Sequence, residues 1–132
     1  MKSLFTAISL LAAVIIFIIF NAFFINGFFK EIDALLLKLP QTAKEAEDLS
    51  EVQKKEALLL LAGISSEWES KEKYVFSVLE HEKASAFSEN LLCARQFFYG
   101  EEYAEYASSL ASLRNVIKHI VFDEGISFGN VL

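Results

Sequence analysis

The sequence is poor in residues that interrupt helices and in residues that form disulfides. It contains one proline, five glycines and one cysteine in 132 residues. With so few breaking residues, and with no apolar–polar alternation at a period of two, helices are favoured almost throughout. The single Cys93 excludes an internal disulfide, and we interpret it as a small apolar residue on a helix.

Positive charge is also scarce. After residue 29 the chain has eleven Lys and Arg against eighteen Asp and Glu, a net charge of −7, because Lys2 is the one charged residue that precedes Lys30. An acidic chain without a basic patch binds nucleic acid poorly and is repelled by anionic lipid headgroups. We therefore predict no nucleic-acid partner.

The longest feature that is present is an uncharged, apolar run over residues 4–29. About 26 residues at a rise of about 1.5 Å each reach roughly 39 Å, enough for a helix to cross a bilayer with some tilt. A cleaved signal peptide would have a shorter apolar region and a small-x-small cleavage site, so a retained anchor is favoured. Residues 1–29 are predicted as a transmembrane signal-anchor helix that contacts the lipid bilayer through residues 4–29.

The charges at the two ends of this run predict its orientation. Lys2 and the free amine precede the run, and Lys30, Glu31 and Asp33 follow it. Positive residues favour the cytoplasmic side. We expect a single-pass protein of the cell membrane with a cytoplasmic N-terminus and an extracytoplasmic C-terminal domain.

The remaining chain is predicted to form one small domain. A stripe from Ile32 to Leu39 ends at Pro40, so residues 30–48 are predicted as a juxtamembrane helix and linker. Residues 49–132 are predicted as a helical bundle whose C-terminal tail, residues 123–132, docks back onto it. The predicted fold class is all-α: an N-terminal transmembrane helix followed by a small antiparallel bundle of three to four helices, with tetratricopeptide-like packing.

Three apolar stripes at helical spacing define the bundle helices. Asp48 or Ser50 is expected to cap the first helix, a break near residues 82–85 to precede the second, and Gly100 to end the second. The last stripe favours packing within its own bundle over a coiled coil with another chain, which would make a homo-oligomer. The stripes are Ala57, Leu60, Ile64, Trp68, Val75 and Leu79; Ala84, Phe87, Leu91, Ala94 and Phe98; and Tyr103, Tyr106, Leu110, Leu113, Ile117 and Ile120.

Two histidines are the candidates for chemistry. His81 and His119 lie equally far from Gly100 in the sequence, so an antiparallel hairpin turning there brings them to one level, with Asp123 close by. Histidines and carboxylates together can bind a metal ion or sense pH, but hydrogen bonding at helix ends is the commoner role and is favoured here. No cofactor is predicted, and His81, His119 and Asp123 are the candidates if a metal binds.

Trp68 is predicted to anchor the core rather than to contact a ligand. If the first two bundle helices are antiparallel about a turn near Glu82, Trp68 faces Phe97 or Phe98, with Tyr103 nearby.

The layout resembles an uncharacterised family of short, single-pass, membrane-anchored helical proteins of Firmicutes, known only as a domain of unknown function. The resemblance covers nearly the whole chain and implies the anchor-plus-bundle architecture but no activity. It rests on the N-terminal span, Trp68, His81, the sequence His119-Ile120 with the acidic stretch after it, and the ending Asn130-Val131-Leu132.

The sequence contains no recognisable catalytic motif, such as a glycine-rich phosphate loop, H-E-x-x-H or G-x-S-x-G. We therefore expect a non-enzymatic envelope protein, an interaction or accessory module that meets a membrane partner. The alternative is a His-based domain that responds to pH or to a metal ion.

Overall fold

The computed structural model describes the backbone of residues 1–131 and the side chains of residues 1–121, and every regular element in that part is a helix. This confirms the predicted all-α fold, in which a long apolar N-terminal helix is followed by a helical bundle. The helices are α1 (Lys2–Leu36), α2 (Ala43–Glu47), α3 (Glu51–Val78), α4 (His81–Tyr99) and α5 (Tyr103–Val131).

α1 is one unbroken helix that contains both the apolar run and the stripe after it, and it continues through residue 29 without interruption. Side chains up to Ile18 are exposed, whereas full burial begins at Ala22. We call residues 2–21, which project from the bundle, the stem. Residues 22–36 of the same helix belong to the core, through Ala22, Ile25, Phe28, Phe29, Ile32 and Leu36.

Four helices, α1, α3, α4 and α5, form a closed bundle. α5 packs against both α4 and α1, and α3 packs against the same two helices. α5 is antiparallel to α1, since Tyr106 lies beside Pro40 and Arg114, further along α5, lies beside Asp33. The antiparallel α3–α4 pair packs in the expected tetratricopeptide-like way. The domain as a whole differs from a solenoid of stacked repeats, because contact between α1 and α5 closes the bundle.

The three predicted stripes form the interior of this bundle. Every residue of the α4 and α5 stripes is buried, and so is every residue of the α3 stripe except the half-buried Leu60. The spacing of three and four residues therefore predicted the inward faces of α3, α4 and α5 correctly.

The turn between α3 and α4 lies earlier than predicted. The break falls at Leu79 and Glu80, rather than near residues 82–85, and α4 begins at His81. Leu79 leaves the helix in an extended conformation, and its side chain is buried in the core. Neither glycine nor proline occurs between Gly63 and Gly100. The apolar spacing predicted that Leu79 is buried, but no residue type in this segment indicates that the helix ends there.

The connection from α1 to α3 contains an extra helical turn. Ser50 caps α3 in a capping box, in which its Oγ accepts from the Gln53 N–H and its own N–H donates to Gln53 Oε1. Of the two predicted caps, Asp48 and Ser50, Ser50 is therefore the one that caps α3. Within the predicted linker, the chain forms the short helix α2, and the Thr42 side chain caps its start. Ala46 of α2 is fully buried, and this burial favours a helical turn there.

α4 ends at Gly100, as predicted, but the left-handed residue is its neighbour. Glu101 has a φ of 59°. Its N–H donates to the Phe98 carbonyl, and the Glu102 N–H donates to the Phe97 carbonyl. These two bonds form a Schellman motif, in which glycine is the usual left-handed residue.

The predicted docked tail lies in a segment whose side chains are outside the described residues. The backbone of α5 continues as a helix to Val131. The side chains of residues 122–132, including Asp123 and Asn130, lie outside the described residues.

Candidate interaction site

The stem presents apolar side chains on all of its faces. Leu10 and Ile16 keep 66% and 67% of their surface exposed, and no described side chain of the bundle covers them. α1 is the one helix, within the part of the chain that the structure describes, that is long and apolar enough to cross a membrane by length and composition.

An aromatic cluster joins α1 to α3 and α4 just beyond the stem. The Trp68 ring of α3 lies 6.4 Å from the rings of both Phe28 and Phe29, and 4.6 Å from that of Phe87 on α4. Phe29 and Phe87 meet edge to face at 5.1 Å. Tyr74, near the end of α3, contacts Phe24 at 4.8 Å. The stem therefore leaves the bundle at the end where α3 turns into α4, which we call the stem end.

Trp68 is buried, but its partners are not those predicted. It contacts Phe87, and its Nε1 donates to Ser88 Oγ at 3.4 Å. Phe98 lies further from the stem end, where its ring contacts Tyr103 at 5.6 Å and Tyr106 at 5.0 Å. In an antiparallel pair, moving the turn by one residue shifts the opposite partner by two. The prediction of Phe97 or Phe98 was wrong because the turn lies at Leu79 rather than at Glu82.

A polar clamp holds α5 against α1 and the chain that follows α1. Arg114 Nε donates to Asp33 Oδ1 at 3.0 Å, and Nη2 donates to Oδ2 at 3.5 Å. Arg114 Nη1 reaches Gln41 Oε1 at 3.5 Å. Gln41 Nε2 in turn donates to the carbonyls of Leu36 and Leu39, at and just beyond the end of α1. In the sequence, Asp33 is only a charge that follows the apolar run, and no local pattern predicts its contact with Arg114.

The Tyr106 hydroxyl makes a second bond between the same parts of the chain. It donates to the Pro40 carbonyl at 2.7 Å, and the residue is fully buried. Burial raises the pKa of Tyr106 well above its ordinary value, and the nearby Glu45 carboxylate raises it further. The phenol is therefore held neutral and acts as a hydrogen-bond donor.

The two histidines both lie near the stem end and both are exposed. His119 lines a shallow groove with Glu80, Glu82 and Lys83, which flank His81 in the sequence. The His81 ring contacts Phe76 at 4.9 Å. Among the residues with described side chains, no group of three His, Cys, Asp or Glu is placed to hold a metal ion.

The other predicted residues are in the core distal to the stem. Tyr103 is buried, and the Lys54 ammonium lies 5.5 Å from the centre of its ring. A hydrogen bond with Tyr103 raises the pKa of Lys54. Phe97 is half-buried and packs against the core, and Cys93 is also half-buried.

A groove on the outer surface between α3 and α4 exposes apolar side chains. Leu92 and Tyr99 on α4 keep 53% and 78% of their surface exposed. We call this surface the α3–α4 groove. Its distal part is lined by Leu58, Leu92, Arg95, Gln96 and Tyr99. It continues towards the stem end from Leu92 and Arg95, which line both parts, past Ser65, Trp68, Glu69, Glu72, Ser88 and Leu91.

The fold and these surfaces define a class of protein: a four-helix bundle whose first helix extends into an exposed apolar stem. Residues 26–131 match the family described as Domain of unknown function (DUF4363), and the chain belongs to this family. The matched region begins inside α1, at the part of the helix that is buried in the bundle. Comparison with curated proteins and with solved structures found no match.

Proposed function

We propose that the chain is a single-pass membrane protein whose stem crosses the bilayer and whose bundle is a non-enzymatic interaction or accessory module for a membrane or envelope protein. The observation that carries the proposal is the continuity of α1. One helix is exposed and apolar over the stem and then becomes a core element of the bundle.

The exposed surface of the stem supports a lipid environment. Burying a large aliphatic or aromatic side chain is favourable by about 1.5–3 kcal/mol relative to water. The stem holds many such side chains, and Phe17 and Phe20 keep 62% and 64% of their surface exposed. The stem, residues 2–21, would span roughly 30 Å as a helix, the thickness of the hydrocarbon core. Lipid is the surrounding that covers this surface over its full length.

The continuity of α1 supports an interaction role. A bundle that shares a helix with its anchor has no flexible linker, so it is held at the membrane surface in a restricted orientation. Tethering raises the effective concentration of the bundle for partners in the same membrane. The α3–α4 groove is an exposed surface on which such a partner can bind. The non-enzymatic role also rests on the absence of a recognisable catalytic motif in the sequence.

The proposed orientation and location come from the sequence. Lys2 and the free amine favour a cytoplasmic N-terminus, which places the bundle outside the cell membrane. The family resemblance implies the envelope of a Firmicute.

Membrane extraction and protease protection test the anchor and its orientation. Alkaline carbonate should leave the full-length chain in the membrane pellet, and protease added to intact protoplasts should digest the bundle. Release of an N-terminally shortened soluble form would contradict the anchor, because it is the product of signal-peptide cleavage. Full protection of the bundle in protoplasts, with digestion after lysis, would contradict the orientation.

One observation favours a pH-responsive domain as a second candidate. His119 shares its groove with Glu80, Glu82 and Lys83, so a protonated imidazole on α5 would face two carboxylates and one ammonium at the start of α4. If this is the function, His119→Gln should abolish a change in melting temperature between pH 5 and pH 8 that the parent chain shows. His81→Gln is the matched control, since His81 contacts Phe76 rather than this groove. An unchanged pH response in His119→Gln would exclude the sensor.

A further inference from the structure

The α3–α4 groove lies far from the membrane that the stem would enter. α3 runs towards the stem end, because Tyr74 contacts Phe24. Leu58 precedes Tyr74 by sixteen residues, which is about 24 Å along a helix. Lipid cannot reach the distal part of the groove at this height. Its exposed apolar side chains are therefore available to a protein.

The charged residues of the groove change sign along its length. Arg95 is exposed and lies where the two parts of the groove meet, since it lines both. No carboxylate lies within ion-pair distance of it among the residues with described side chains. Glu69 and Glu72 line the part nearer the stem end. The bond between Trp68 and Ser88 places these two residues at the same height, so the backbone of Arg95 lies roughly 12–16 Å further from the stem end than the backbone of the two glutamates. All three side chains line the part of the groove nearer the stem end, with Arg95 at its distal limit. A complementary partner carries a negative charge distally and positive charges towards the membrane.

A second copy of the chain does not fit this pattern. Two copies anchored in one membrane are related by an axis along the membrane normal, so identical residues face each other at the same height. Such a pairing brings Arg95 level with another Arg95 and the glutamates level with glutamates. Like charges at matching positions disfavour the complex.

We propose that the α3–α4 groove binds an amphipathic helix of a partner protein, with apolar residues against Leu58 and Leu92, a carboxylate at Arg95, and Lys or Arg facing Glu69 and Glu72. The positive residues lie about 8–11 positions from the carboxylate, on the side towards the membrane. Apolar anchors at helical spacing with flanking charges are the recognition mode of a helix in a groove. The proposal rests on the proposed membrane-anchored interaction role, for which it names the surface and the chemistry of the partner.

Site-specific photo-crosslinking of the full-length chain in its native membranes tests this. Benzoylphenylalanine replaces Leu92 or Tyr99 in the groove and, as the control, the exposed Ser112 on α5. The two groove positions should crosslink to one partner segment, whose sequence, read by mass spectrometry, has the apolar and charged pattern given above. Arg95→Glu should reduce the adduct at least tenfold at unchanged melting temperature, and reversal of the facing carboxylate to Arg should restore it.

The other outcomes overturn the proposal in distinguishable ways. Adducts from Leu92 and Tyr99 with a second copy of the chain, with lipid, or with a segment lacking the charge pattern contradict the proposed occupant. An adduct that Arg95→Glu leaves unchanged contradicts the charge pairing. Adducts at Ser112 without any in the groove overturn the groove and leave the interaction role standing. Absence of protein adducts at all three positions would contradict both the proposed groove and the proposed interaction role.

Discussion

Arg114 on α5 binds both carboxylate oxygens of Asp33 on α1, across 81 positions of sequence. Asp33 lies four residues beyond the apolar run, inside the part of α1 that is buried in the bundle. The pair therefore fixes the last helix of the domain to the helix that carries the stem. Both side chains are about a quarter exposed, which limits the energy of the pair.

A double-mutant cycle should detect this clamp. We expect Asp33→Asn and Arg114→Gln to show a coupling energy of about 1 kcal/mol, because the pair is bidentate and partly buried. Chemical unfolding of the full chain in detergent measures it. Arg95→Gln, an exposed arginine outside the clamp, is the control and should change stability by less than about 0.5 kcal/mol. Strictly additive effects of Asp33→Asn and Arg114→Gln would show that the clamp contributes nothing.

Trp68→Ala should be strongly destabilising. The ring is buried among aromatic side chains from α1 and α4, so its removal leaves a large cavity and should cost about 3–5 kcal/mol. That loss lowers the melting temperature of a domain of this size by more than about 10 °C. Tyr99→Ala, which removes a largely exposed aromatic ring, should leave the melting temperature nearly unchanged. Equal effects of the two substitutions would refute the assignment of Trp68 to the core.

The bundle should need residues 22–29. A chain that begins at residue 21 keeps Ile25, Phe28 and Phe29, and we expect it to fold as a helical domain. A chain that begins at residue 30 lacks these buried side chains, whose individual losses of about 2–5 kcal/mol are together comparable with the whole stability of a small domain. Circular dichroism and cooperative thermal unfolding distinguish the two. A cooperative, equally stable fold from residue 30 onwards would mean that residues 22–29 belong to the anchor alone.

Alkaline pH should destabilise the domain through Tyr106. Burial raises the pKa of Tyr106 in the folded chain above the ordinary value of about 10 that it has when unfolded. Its contribution to stability is therefore present below about pH 10 and is lost as the pH rises towards the folded-state pKa. The free energy of unfolding, measured between pH 8 and pH 11, should fall at the upper end. Tyr106→Phe should reduce this fall in the free energy of unfolding, although it also removes the bond to Pro40. If the fall is the same in Tyr106→Phe, other titrating groups cause it.

Glu101→Gly should stabilise the chain. Glu101 holds a left-handed conformation that glycine adopts without steric cost, so the substitution should add up to about 1 kcal/mol. Glu101→Ala is the matched control, because it removes the same side chain but keeps the strained Cβ. If the two variants have the same melting temperature, the backbone conformation at this position contributes nothing.

Sequence patterns predicted the helices and their inward faces, because α3, α4 and α5 are amphipathic and period 3.6 is visible in them. The uniformly apolar run offered no such signal. A helix that is apolar on every face shows no periodicity, so its sequence does not indicate that one part is exposed while residues 22–29 enter the core. Only the contacts of α1 with the other helices distinguish its exposed part from its buried part.

The clamp and the turn also lay outside the reach of local patterns. Asp33, Gln41 and Arg114 are ordinary polar residues far apart in the sequence, and only the antiparallel packing of α1 and α5 brings them together. The α3–α4 turn has no proline or glycine, so an error of three residues in its position moved the expected partner of Trp68 to Phe97 or Phe98. The α3–α4 groove had a partial signal in the run Leu58 to Leu61, which is apolar on more faces than one buried side requires.

In the proposed arrangement, one continuous helix is both the membrane anchor and a core element of the bundle. Accessibility of spin labels along α1, in the Cys93→Ser chain reconstituted into lipid vesicles, tests it most directly. Labels at the exposed positions Leu10 and Ile16 should collide with oxygen and not with a water-soluble nickel chelate, whereas labels at Glu31 and Leu37 should show the opposite preference. Collision of the Leu10 label with the nickel chelate would contradict this arrangement, and so would a preference of the Glu31 label for oxygen over the chelate.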